Sequence, residues 1–149
     1  MKKIIDICEE LKARDLADKG THKIAAYWES DGIRCVVMAL HSHFTAYLGI
    51  PEKSKLAGLD YDELPLEVHG GLTFSRYGDD TYLPKGFYWF GWDYTHAGDY
   101  HYPGEDMIKR DPELFINRGD KKDWTLGEVK KEVEWALDDF KKLTKISEL

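Results

Sequence analysis

Cysteine is nearly absent from the 149 residues: the chain has two, Cys8 in a helical pattern and Cys35 in a strand pattern. Neither spacing makes a disulfide framework or a thiolate zinc site, so a reducing compartment is expected. Long apolar runs are missing too. Nothing approaches the roughly 18 consecutive apolar residues of a membrane-spanning helix. The opening Met1-Lys2-Lys3-Ile4-Ile5 meets Asp6, Glu9 and Glu10 before any stretch of signal-peptide length. Neither membrane insertion nor export is expected, and a cytoplasmic location is. Positive charge is in deficit, with 21 Lys and Arg against 28 Asp and Glu, a net charge of -7. That field repels duplex nucleic acid, although backbone amides with one or two cations can oppose it over the short range of a small anion's pocket. There is no G-x-S-x-G, Walker loop, G-x-G-x-x-G or C-x-x-C, so the familiar enzyme classes have no motif to support them, and no cofactor is indicated.

What is present is 42% hydrophobic residues in a length typical of one domain. Residues 3 to 18 place Ile4, Cys8 and Leu11 on one helical face, and Gly20 ends that pattern. Ile24, Ala26 and Trp28 alternate as a strand does, Asp31-Gly32 predicts a type I′ hairpin, and Ile33 to Leu40 is an almost wholly apolar second strand. Phe44 to Ile50 predicts a third strand, stopped by Pro51. Residues 52 to 65 read as a surface loop. Alternation resumes at Leu66 to His69, breaks at Gly70-Gly71 and restarts at Leu72 to Phe74, which predicts one strand with a bulge or bend. After a loop from Ser75 to Gly86 comes Phe87 to Tyr94, the most aromatic segment and the expected central strand. Residues 95 to 123 read as irregular, with one helical turn near Glu105 to Lys109. Thr125-Leu126-Gly127-Glu128 has capping-box form, and Val129, Val133, Ala136, Phe140 and Leu143 hold one face of a helix over about 126 to 145. The expected fold is α+β: a mainly antiparallel twisted sheet packed by an N-terminal helix and a long C-terminal one.

Chemistry-bearing residues concentrate between Glu67 and His101. Earlier in the chain, His41 and His43 share a face of an extended segment and can place two imidazoles on one metal, or simply end a strand. His69 precedes two glycines whose amides can approach an oxyanion or phosphate; the alternative is a β-bulge. Asp93, His96 and Asp99 form D-x-x-H-x-x-D at the end of the aromatic strand, with His101 and Glu67 as further members. Carboxylates around an imidazole suit general acid-base work or a divalent cation held by Asp93, His96 and Asp99, whereas Asx-turns would use the same residues structurally. Trp89 and Trp92 belong to a strand with rings on both faces, one of which is open in principle to a flat ligand. Arg34, Arg76 and Lys85 are the cations expected nearby.

Four segments taken together form a pattern: Tyr47 to Pro51, Gly58 to Asp62, Val68-His69-Gly70-Gly71-Leu72-Thr73-Phe74-Ser75, and Gly91-Trp92-Asp93-Tyr94-Thr95-His96-Ala97-Gly98-Asp99. Over about residues 44 to 100 the chain resembles a widespread family of small phage and prophage proteins marked by HGGLT-F/Y-S and GFD-x-x-H-x-GD blocks. Trp92 and Tyr94 stand where that pattern has Phe and Cys, so no cysteine nucleophile is available in the block, and Ser54 stands where the pattern often has His. The resemblance implies phage origin and, by analogy with small phage proteins that counter host defences, sequestration of a nucleotide immune signal. The residues then read as a small-molecule-binding protein. In it the aromatic strand stacks a base, Gly70, Gly71 and Arg76 hold phosphate, and His69, Asp93 and His96 orient the ligand. The rival reading is a hydrolase using His69, Asp93, His96 and Asp99 on a phosphate or glycosidic bond, with or without metal. A third is an inhibitor that docks a host protein.

Overall fold

The computed structural model describes residues 22–40, 43–80, 83–95, 122 and 124–149. The expected helix over 3 to 18, the turn near 105 to 109, and His41, His96, Asp99 and His101 lie outside the described residues.

Five antiparallel strands form one sheet in the order β1-β2-β3-β5-β4: β1 (His22–Ser30), β2 (Ile33–Leu40), β3 (Phe44–Pro51), β4 (Phe74–Tyr77) and β5 (Phe87–Asp93). Helix α1 (Leu126–Ser147) packs across one face. The α+β class, the strand-rich centre and the C-terminal helix agree with the sequence reading. Asp31 and Gly32 both take positive φ, 53° and 78°, as a type I′ turn requires, and they set Ser30 opposite Ile33. No helix among the described residues is long and apolar enough to cross a membrane.

Two segments differ from expectation. The predicted bulged strand from Leu66 to Phe74 is a loop closed by a turn: the Gly71 amide donates to the Val68 carbonyl at 2.9 Å, with Gly70 and Gly71 at φ 71° and 82°. Two successive positive-φ residues reverse the chain, so the ladder begins only at Phe74 and runs through residues expected to be loop. The segment from 52 to 65 carries turns and one 3-10 turn (Tyr61–Glu63), but it is not wholly superficial, because Leu56 and Leu64 are buried under it.

Period-two alternation divides the core. Ile33, Cys35 and Val37 of β2, Ala46, Leu48 and Ile50 of β3, and Tyr88, Phe90 and Trp92 of β5 face α1, where Val129, Val133, Ala136, Leu137 and Phe140 meet them. Val36, Met38, Phe87 and Trp89 form a second cluster on the opposite face, together with Leu83. Arg34 lies there, buried, its guanidinium 3.9 Å from the Phe87 ring centre. Glycines make room for the rings: a Cβ on Gly49 would fall 2.6 Å from the Trp89 ring, and one on Gly91 2.7 Å from Tyr47. Cys35 is sealed in the α1-facing core, and burial pushes its thiol up to about 12, with Lys141 opposing; it is a packing residue, not a nucleophile.

Helix α1 begins as its sequence predicts. Thr125 accepts from the Glu128 amide at 3.2 Å, and Glu128 accepts from the Thr125 amide at 3.1 Å. Lys122, 2.7 Å away, and the Thr125 donors hold the Glu128 carboxyl at about 2, below its ordinary 4.5.

Two outcomes are expected. Gly49→Ala will destabilise the fold by about 1–3 kcal/mol in chemical denaturation, because the fully buried Trp89 ring cannot yield, and this outweighs Gly's roughly 0.5–1 kcal/mol entropic disadvantage. A carboxyl depressed on folding contributes stability that is complete above its unfolded value and is lost as pH falls through its folded one. Helix signal in circular dichroism should therefore fall between about 4.5 and about 2 more steeply for the parent than for Glu128→Gln.

Candidate functional site

The residues singled out in the sequence divide between the two faces of the sheet. β5 alternates, so Trp92 and the following Tyr94 point toward α1, whereas Trp89 and Asp93 point away from it. Asp93 sits opposite Thr45, and its Oδ1 accepts from the Thr95 amide at 3.1 Å and the Thr95 hydroxyl at 2.6 Å, the local turn that was the structural alternative for it. Its charge falls beside Tyr47. Burial pushes that phenol up; the Thr45 hydroxyl pulls the other way, and Asp93 adds to the rise. His69 is on the α1 side. The convergence of His69 with Asp93, on which both the phosphate-binding and the hydrolase arrangements depended, is therefore not found.

The aromatic strand is likewise no stacking surface. Trp89 is 0% exposed and Trp92 2%, so both faces of β5 are core. Arg76 lies on the same face as Trp89, over the Phe74 ring at 5.4 Å, away from His69. Lys85 closes the β4–β5 loop, its amide donating to Asp80 at 3.0 Å. Gly70 and Gly71 are exposed beside His69, but the Gly71 amide is committed to its own turn.

What the structure does assemble is a cleft around His69. The loop from 66 to 72 lays the imidazole flat on Tyr94, 4.8 Å between centres and 5° between planes, and edge-on to Trp124 at 4.9 Å. Trp124 immediately precedes the N-cap of α1 and packs on Tyr94 at 4.8 Å, so the helix start closes a three-ring box. A hydrogen-bond chain crosses from sheet to helix: Trp92 Nε1 donates to Tyr94 Oη at 3.2 Å, and that hydroxyl donates to Glu132 Oε1 at 2.6 Å.

Beside this box opens a cavity of about 220 Å³ lined by Glu67, His69, Trp92, Glu132, Trp135 and Asp139, among others. Three carboxylates, an imidazole and two indoles converge there. Asp139 has Lys142 Nζ at 3.8 Å and Glu132 Oε1 accepts from Tyr94, but the lining as a whole offers more acceptors than donors and so favours cationic or N–H-rich groups over phosphate. Glu67 and His69 were candidates from sequence. Glu132, Trp135 and Asp139 were not, although their spacing of three and four residues puts them on one face of α1 just beside the core stripe. Trp135 is 61% exposed, an unusual place for a Trp on a packed helix. Among the described residues the group able to share one metal ion is Asp60, Asp62 and Glu63, all exposed; there Glu63 accepts from the Asp60 amide and closes the 3-10 turn.

Tyr94→Phe will remove the hydroxyl that both satisfies buried Trp92 and anchors Glu132. Thermal or chemical denaturation should show a loss of about 1–3 kcal/mol, with a changed near-ultraviolet circular dichroism spectrum from the Trp92 environment.

Compared with known proteins, the chain matches no family model, no curated protein and no solved structure.

Proposed function

We propose that this is a phage-type small-molecule-binding protein that acts by holding its ligand rather than converting it. The carrying observation is the His69 cleft, whose indoles and carboxylates are arranged around a space of about 220 Å³ and flanked by the exposed Trp135. A flat ring bearing several N–H donors fits that chemistry. The ring stacks on an indole, an interaction of about 1–3 kcal/mol per base, while Glu67, Glu132 and Asp139 accept from its amino edge. A nucleobase is such a ring, which keeps the nucleotide class implied by the resemblance to small phage proteins. It also reverses the orientation first expected: the base edge enters the cleft, and any phosphate stays outside it, away from the three carboxylates. Sequestration of a nucleotide signal, as in counter-defence, is the corresponding role.

Protein purified from a bacterial host, then heated and its supernatant examined by mass spectrometry, should release an intact nucleoside or nucleotide. In calorimetry Trp135→Ala and Asp139→Asn should each weaken that ligand by about tenfold, since both residues sit at the open side of the cleft and leave the core intact. Failure of all nucleosides and nucleotides to bind at about 1 mM, or affinities unmoved by either substitution, would remove the proposal. A stable protein complex lost on Trp135→Ala would replace it with the docking reading.

A further inference from the structure

On the other side of the core stripe of α1 lies a larger cavity, about 680 Å³, between the β1–β2 turn, the end of β3 and the last turns of the helix. Its volume falls within the range of about 300–1,000 Å³ typical of small-molecule sites. Four lysines line it, Lys53 and Lys55 from the segment after β3 and Lys141 and Lys145 one turn apart on α1, against two carboxylates, Asp31 and Glu148. The local balance is thus +2 (four minus two) in a chain of net charge -7. Lys141 is the structural member: its Nζ donates to Ser30 Oγ at 2.6 Å and lies 3.2 Å from Asp31, tying the helix to the hairpin. Among the described residues, Lys53, Lys55 and Lys145 pair with no carboxylate.

Like charges gathered around a concave surface repel one another, and an otherwise acidic protein gains nothing in solubility from placing them there. Lys145 also complements the negative end of α1, but that accounts for one lysine of the four. The floor differs in kind from the rim: Ile33 and Ile50 are buried, and Pro51 is half-buried beside them. A rim of ammonium groups above an apolar floor matches a molecule with a compact dianionic head and an uncharged body. We propose that this cavity binds a phosphomonoester carrying an apolar or flat body, with the phosphate facing Lys53, Lys55 and Lys145 and the body on Ile33, Ile50 and Pro51. A polynucleotide does not suit it, because the charge of the whole chain repels an extended polyanion while the lysines act only within the cavity. This site is independent of the His69 cleft and stands or falls without it.

Phenyl phosphate is a suitable probe, since it has both parts and no nucleobase for the cleft to read. By calorimetry it should bind at least about tenfold more tightly than inorganic phosphate and than phenol, and raising salt from about 50 to about 500 mM should weaken it. The double substitution Lys53→Ala with Lys55→Ala, and separately Lys145→Glu, should each weaken phenyl phosphate by about tenfold or more. Their side chains are exposed, so circular dichroism should confirm an unchanged fold. The inference is overturned if phenyl phosphate does not bind at about 1 mM, if phenol binds as well as the phosphate does, or if neither lysine variant changes the affinity. It is also overturned if Trp135→Ala, and not the lysine changes, abolishes binding.

Discussion

One strand with large rings on both sides dictates the rest of the architecture. β5 sends Tyr88, Phe90 and Trp92 to one face of the sheet and Phe87 and Trp89 to the other. Rings of that size bury on the order of 150–250 Å² each, so neither face can be left wet. On one side α1 supplies the cover. On the other, the loop between β4 and β5 folds back, Leu83 joins the cluster, and Trp89 Nε1 donates to the Pro84 carbonyl at 3.2 Å. Glycine is the complement of this arrangement. Gly49 opposite Trp89 and Gly91 opposite Tyr47 let the rings lie flat across neighbouring strands, so the register of β3 against β5 is set by shape as well as by backbone hydrogen bonds.

The same constraint explains which parts of the molecule were readable from the amino-acid order. Local rules acted without competition at Asp31-Gly32, whose left-handed pair makes its hairpin, and at Thr125 to Glu128, whose reciprocal bonds start α1. The nearly continuous apolar run of β2 marked the second strand of that hairpin, and in the structure it is buried on both faces. The stretch from Leu66 to Phe74 misled because alternation is a statement about faces, not about pairing. Leu66 and Leu72 are buried and Glu67 and Gly71 exposed, as a strand would have them, yet the two glycines reverse the chain between them.

The candidate site was legible in parts, for a related reason. Glu67 and His69 were visible as polar residues in an aromatic neighbourhood, but their partners come from α1, about 65 residues further along the sequence. Sequence proximity tied His69 instead to Asp93, which β-alternation sends to the far face. Tyr94, one position further on, is the residue that reaches His69. A displacement of one residue along a strand is a change of face, and no composition or motif argument can see it without the register. The lysine-lined cavity was less visible still, since Lys53, Lys55, Lys141 and Lys145 are scattered among 21 basic residues and only the packing of α1 over β3 brings them together.

Helix α1 thus lines both cavities as well as covering the core. Its buried stripe runs through Val129, Val133, Ala136 and Phe140; Glu132, Trp135 and Asp139 lie along one side of it, and Lys141 and Lys145 along the other. Each flank meets a different part of the sheet, the first at Trp92 and the second at the β1–β2 turn. The two cavities therefore differ in the side chains that line them while sharing one element. Anchorage differs as well: the Tyr94–Glu132 bond fixes the helix near its start, and the Lys141–Ser30 bond fixes it two and a half turns later. These two ties hold Glu132 and Lys141 in place, whereas Trp135, Lys53, Lys55 and Lys145 are exposed, so that a ligand at either cavity would have to order side chains of its own rim.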